Sequence, residues 1–172
     1  QFETIDVELA KALSPIRCSL SLPNIEAIDE LSIQALISES CNYKLSKYKI
    51  RHALELGITS INTNIANLLS KYGGEVSLPR LCQIDEKSAA KLKGVLGNLL
   101  LGITTIDKNT AIALVDLPKK NENRNLYFPG IKHIDDKALE ILSSDTYNGI
   151  EKYNSEDCRG LFLGLTKLEI NQ

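Results

Sequence analysis

The chain has no tryptophan and no methionine, and aromatic residues fill only 5% of its 172 positions. Large rings therefore cannot build the interior. Ile, Leu and Ala must do so, which suits thin stacked layers better than one bulky centre. An excess of charge of one sign is also missing. Lys plus Arg number 20 and Asp plus Glu 22, a formal charge of −2, which argues against a general nucleic-acid or membrane-surface binder. No apolar run approaches the roughly 18–20 residues of a membrane span, and no charged-then-apolar segment opens the chain. The four cysteines, Cys18, Cys41, Cys82 and Cys158, form no CxxC pair and have no His neighbour. That spacing fits neither a zinc site nor a compact disulfide framework, and it predicts free, mostly buried thiols. Such thiols fit the cytoplasm and a disulfide-free secreted bacterial protein equally well.

Chemistry-bearing patterns are scarce too. His52 and His133 are the only histidines, and neither lies near a Cys or Ser in a nucleophile arrangement. His133 falls in a turn before a helix and is expected to be solvated. The paired glycines of "KYGGEV" (Lys71–Val76) lack a GxxxxGK[ST] context and read as a helix C-cap ahead of the next strand. No catalytic, metal or cofactor residue is predicted.

What the sequence does have is a repeat. "TIDVELAKAL", "AIDELSIQAL", "SINTNIANLL", "QIDEKSAAKL", "TIDKNTAIAL" and "HIDDKALEIL" share one template. Each has an anchoring Ile (Ile5, Ile28, Ile61, Ile84, Ile106, Ile134) followed by Asp or Asn. Five positions on stands Ala10, Ile33, Ala66, Ala89, Ala111 or Leu139, and eight positions on a Leu. Upstream lie "LSLPNIEAI", "LELGITSI", "VSLPRLCQI", "LLLGITTI", "YFPGIKHI" and "LFLGLTKL". Their period-two alternation predicts a strand, the Pro or Gly a turn, and the Asp or Asn the cap of a helix with two inward positions. The acids at the join could also form a cation ladder, but the glycine-rich nonapeptides of calcium rolls are absent, and six caps worth about 1 kcal/mol each suffice. Steps of 22 or 23 residues separate Ile5 from Ile28, Ile61 from Ile84 and Ile84 from Ile106.

These units resemble the leucine-rich repeat superfamily, most closely a bacterial type with LxLxGLTxL(S/D)xxxAxxL units, which Ile58–Leu69 and Ile103–Leu114 match well. Ile25, Leu81 and Ile131 stand where the commonest family pattern has an Asn. The resemblance implies an α/β right-handed solenoid, or horseshoe, with a parallel sheet on its concave face and helices on its convex face. That concave face usually binds protein. One solenoid over residues 1–172 is expected, with six strand-plus-helix units and a seventh strand near Gly160–Leu163. The missing Met, initiator included, and ends that fall inside units predict a piece of a longer protein. Apolar end layers are expected around Ile5 and Leu9, and around Leu165, Leu168 and Ile170, open to end-to-end self-association.

Three helix-to-strand connections are longer than the rest, at 38–53, 116–125 and 143–160. The first carries Lys44, Lys47, Lys49 and Arg51 with Tyr43 and Tyr48, and the third carries Asp145, Glu151, Glu156 and Asp157. Loops that interrupt a regular scaffold tend to carry function. The predicted partner-binding surface joins Lys44, Lys47, Tyr48, Lys49 and Arg51 to strand-face positions Ser21, Glu55, Ser77, Leu99 and Tyr127. The expected function is a non-enzymatic protein-binding module. The alternatives are the recognition part of a larger secreted bacterial effector enzyme, ubiquitin-ligase-like, and a surface protein that assembles laterally.

Overall fold

The computed structural model describes residues 3–16, 18–38, 52–115, 125–147 and 161–163. The elements in chain order are β1 (Thr4–Ile5), α1 (Val7–Leu13), β2 (Leu20–Leu22), β3 (Ala27–Ile28), α2 (Glu30–Ile37) and β4 (Ala53–Leu56). Next come α3 (Thr63–Leu69), β5 (Glu75–Leu78), α4 (Glu86–Leu92), β6 (Leu99–Leu101), β7 (Thr105–Ile106) and α5 (Lys108–Val115). β8 (Leu126–Phe128), β9 (His133–Ile134), α6 (Asp136–Tyr147) and β10 (Leu161–Leu163) complete the series. The architecture is α/β with parallel sheets. A six-stranded sheet runs in strict chain order, β2-β4-β5-β6-β8-β10, and all its pairings are parallel. Successive helices pack against each other in the same order.

The alternation of the strands explains the core. Leu54, Val76, Leu99 and Leu126 follow one another across the ladder in register. With Leu56, Leu78, Leu101 and Phe128 they are buried in one cluster that includes Ile33, Ala66, Ala89 and Ala111 of the helices. Burying each large aliphatic contributes roughly 1.5–3 kcal/mol. The next layer is equally regular: Ile25, Ile58, Leu81, Ile103 and Ile131 are all buried.

The strand exits alternate in length. After β2, β5 and β8 the chain runs through Pro23-Asn24, Pro79-Arg80 and Pro129-Gly130. These turns close by bonds from Ile25 N to Leu22 O (3.3 Å), Leu81 N to Leu78 O (3.2 Å) and Ile131 N to Phe128 O (3.4 Å). After β4 and β6 a single glycine does the work. The N–H of Gly57 donates to Leu22 O at 3.0 Å and that of Gly102 to Leu78 O at 2.9 Å, each reaching the strand before. A β-carbon on either glycine would lie 1.9 Å from the carbonyl oxygen of Pro23 or Pro79. Since none of the described glycines has a positive φ, close approach is the reason for glycine here. Arg80 reaches over the short exit, donating to Glu26 Oε1 at 3.2 Å and to Pro23 O at 3.5 Å.

Each helix starts where its Asp or Asn supplies an oxygen. Asp6, Asp29, Asn62, Asp85 and Asp107 accept the N–H of Leu9 (2.8 Å), Ser32 (2.7 Å), Ile65 (2.8 Å), Ser88 (2.9 Å) and Thr110 (2.7 Å). These are N-caps, and they occupy the first orphan donors of short helices that tertiary packing then holds.

Several expectations need correction. The sequence reading has one strand per unit, but some anchoring isoleucines form a second: Ile5 pairs with Ile28 between β1 and β3, and Ile106 with Ile134 between β7 and β9. Two small parallel sheets thus accompany the large one, and Ile61 and Ile84, outside them, are only half-buried. Among the described residues five helices, α2 to α6, follow a strand of the large sheet, and α1 follows only the two-residue β1. In α6 the inward residue is Ala138, and Leu139 is 36% exposed. There Asp135 caps Lys137, two residues on, and the helix presents the smaller side chain to the core.

Ile5 is no exposed end layer, because its pairing with Ile28 buries it; Leu9 is half-buried. Leu165, Leu168 and Ile170 lie outside the described residues. Cys18 and Cys82 are exposed, not buried; both stand in connections outside the helices and strands, and Cys41 and Cys158 lie outside the described residues. The glycines of "KYGGEV" do not cap α3, whose C-cap is Ser70 in αR conformation. Gly74 is small because the His52 carbonyl passes 1.9 Å from where its β-carbon would stand.

Candidate functional site

The positions between the buried residues of the large sheet all point to the side that no other described element covers. Ser21, Glu55, Ser77, Leu100 and Tyr127 form one row in register across β2, β4, β5, β6 and β8. Ser21 is exposed and the other four are half-buried, a burial pattern that strict alternation requires. The sequence-predicted Glu55, Ser77 and Tyr127 therefore share one surface. Leu99 does not: it is fully buried, paired with Val76 and Leu126, and Leu100 takes its place. Three consecutive leucines carry no alternation of their own, and the phase of β6 follows only when "LLLGITTI" is laid on "LELGITSI", which sets Gly102 on Gly57 and Leu100 on Glu55. Lys44, Lys47, Tyr48, Lys49 and Arg51 lie outside the described residues.

A second row, missed in the sequence reading, runs two residues earlier along each strand: Ser19, Ala53, Glu75, Asn98 and Asn125. Continuing the period-two alternation backward would have found it. Its members are tied laterally. Ser19 Oγ accepts from Ala53 N at 3.1 Å, Asn98 Nδ2 donates to Glu75 Oε1 at 2.8 Å, and Asn98 Oδ1 accepts from Asn125 N at 3.0 Å. Asn125 Nδ2 continues to the Tyr127 hydroxyl at 3.4 Å. The carboxylate of Glu75 and the ring of Tyr127 are thereby linked by side chains on three adjacent strands. Glu55, flanked in register by Ser21 and Ser77, has no hydrogen-bond or ion-pair partner among the described residues.

Between the rows lies a shallow groove of about 290 Å³, lined by Ala53, Glu75, Ser77, Asn98, Leu100 and Tyr127. That is below the roughly 300–1,000 Å³ of a small-molecule pocket but enough for one or two side chains of a partner. A larger depression of about 530 Å³ lies at the helix starts, where Gln83 and Ile84 face β7 and β9. Its carboxylates, Asp107 and Asp135, are already engaged as helix caps, and His133 at its edge is exposed in β9.

Electrostatics at the caps is local. The hydroxyl and backbone N–H of Ser88 hold the Asp85 carboxyl below its ordinary value, and the backbone N–H and hydroxyl of Thr110 do the same for Asp107. Among the described residues no three His, Cys, Asp or Glu side chains gather closely enough to hold a metal ion, and no helix is long and apolar enough to cross a membrane. No family model, curated protein or solved structure matches this chain.

Proposed function

We propose that the chain is a leucine-rich-repeat solenoid that works as a non-enzymatic protein-binding module, with the outward strand rows as its binding surface. The observation that carries this reading is the outer face of the large sheet, which no described element covers: two rows of mostly half-buried side chains, the second tied across β5, β6 and β8 through Asn98 and Asn125, with a side-chain-sized groove between them. A sheet this regular normally has both faces used, and one face here is packed into the core. Chain-order parallel pairing and five identical helix caps support the solenoid, since each unit buries its neighbour's apolar side. The inserted segment with Lys44, Lys47, Tyr48, Lys49 and Arg51 completes the proposed surface.

The test is capture on immobilised protein from an extract of the source cells. A specific protein should be retained by the parent and by Lys87→Glu, a change on exposed helix surface. It should be lost on Ser77→Arg, which fills the groove while pointing away from the core. Equal retention by all three proteins would place the binding surface elsewhere.

A further inference from the structure

We infer that the ligand of the strand face is an extended, basic protein segment that crosses the strands, with a lysine or arginine over Glu55 and Glu75 and a large apolar side chain against Leu100 and Tyr127. This rests on the protein-binding reading above and names the chemistry of the partner.

The charge in the two described strand rows is one-sided. Of the ten residues in the two rows, Glu55 and Glu75 are the only charged ones. They stand on adjacent strands, diagonally, since Glu75 pairs with Ala53 and Ser77 with Glu55. Their states differ in a useful way. Glu75 is aimed by Asn98, which occupies Oε1 and leaves the rest of the carboxylate able to accept. Glu55 has no partner among the described residues although it is half-buried. A half-desolvated carboxylate without a partner gains from a cation that brings its own donors. The rest of the groove is of another character: Leu100 and Tyr127 offer apolar surface and a ring face. A cationic head with an apolar neighbour matches both halves, whereas an acidic segment or a nucleic-acid phosphate would meet two carboxylates with no counter-charge in either row.

Geometry sets the spacing. Glu55 and Tyr127 are three strand steps apart, on β4 and β8, about 14 Å at roughly 4.8 Å per step. An extended segment advances about 3.3 Å per residue. The basic and the apolar residue should therefore lie about four positions apart.

The probes are short synthetic peptides in a Ser/Thr background, followed by chemical shifts of the full chain and by titration. One carries Lys and, four positions on, Leu; a second replaces Lys with Glu; a third moves Leu to two positions from Lys. The first should bind about tenfold more tightly than the second, perturb Glu55, Glu75 and Tyr127, and weaken as salt is raised. Glu55→Gln with Glu75→Gln should remove the preference for Lys over Glu, and Tyr127→Ala the preference for the four-residue spacing. Both variants alter outward side chains, and a thermal melt like the parent's establishes that they fold. Equal binding of the Lys and Glu peptides, or none, overturns the inference. If Ser77→Arg still abolishes capture of the cellular partner in that case, the protein-binding reading stands and only its chemistry was wrong. If Ser77→Arg leaves capture intact, the reading itself has failed.

Discussion

Ser32 and Ser88 occupy the same place in their units, fully buried one turn into the helix, yet their hydroxyls fare differently. Ser88 Oγ donates to Asp85 Oδ2 at 2.7 Å, while Ser32 Oγ has no partner among the described residues. A buried hydroxyl without a partner carries its desolvation cost uncompensated. Ser32→Ala should therefore be neutral or stabilising by up to about 1 kcal/mol, and Ser88→Ala should destabilise by about 1 kcal/mol; urea denaturation of the two variants checks the contrast. The glycines separate as clearly. Gly57→Ala and Gly102→Ala drive a methyl into a backbone carbonyl and should each cost about 1–3 kcal/mol or more. Gly94→Ala meets the Ser70 side chain at 3.0 Å and the Lys91 carbonyl oxygen only at an ordinary 3.4 Å, and should cost less. If Gly57→Ala and Gly94→Ala unfold at the same urea concentration, close packing of the strand exits is not what requires glycine there. None of this was readable in the sequence, because the template has the same residue class at each place whether or not a partner is found.

At the scale of the element, capping was legible in each unit by itself, and sheet phase was not. An Asp or Asn ahead of an apolar helical face has one economical use, and five of the six side chains make the bond to the third N–H that the pattern demands. Within β6 alone Leu99-Leu100-Leu101 hides the phase, which shows only when Gly102 is aligned with Gly57, and the inward face of α6 was hidden by Ala138 and Leu139, both apolar. Such runs are decided by what lies next to them in space. The caps carry a pH signature. Asp85 and Asp107 have folded-state pKa values held below the ordinary range, so their contribution is present above the unfolded value of about 3.9 and is lost as pH falls through the lower folded value. Asp107→Asn keeps a capping oxygen at neutral pH and removes one of these titrations. Its stability should match the parent's to within a few tenths of a kcal/mol at pH 7 and fall less steeply below about pH 4. An acid limb identical to the parent's would mean that this carboxylate does not help drive acid unfolding.

At the scale of the whole molecule, the proposed surface has two parts of opposite charge: the strand rows with Glu55 and Glu75, and the inserted segment with Lys44, Lys47, Lys49 and Arg51. A partner that uses both must itself carry both signs. Reversing the four cations to Glu should then slow association of the cellular partner with little effect on stability, while leaving the short basic peptide at least as well bound. Slowing of both ligands alike in stopped-flow would show that the two parts do not act separately. The alternating strand exits have a different consequence, one of heredity. Gly57 sits against a proline exit and so does Gly102, and Arg80 bridges two proline exits across the glycine exit between them. Removing one unit, residues 57–78, would set Pro79 directly against Pro23 and leave no glycine to admit the carbonyl. Removing two, residues 57–101, would bring Gly102 to the place of Gly57 and restore the contact. A lineage of such chains should therefore gain and lose units in pairs, so that parity, rather than length, is what is inherited.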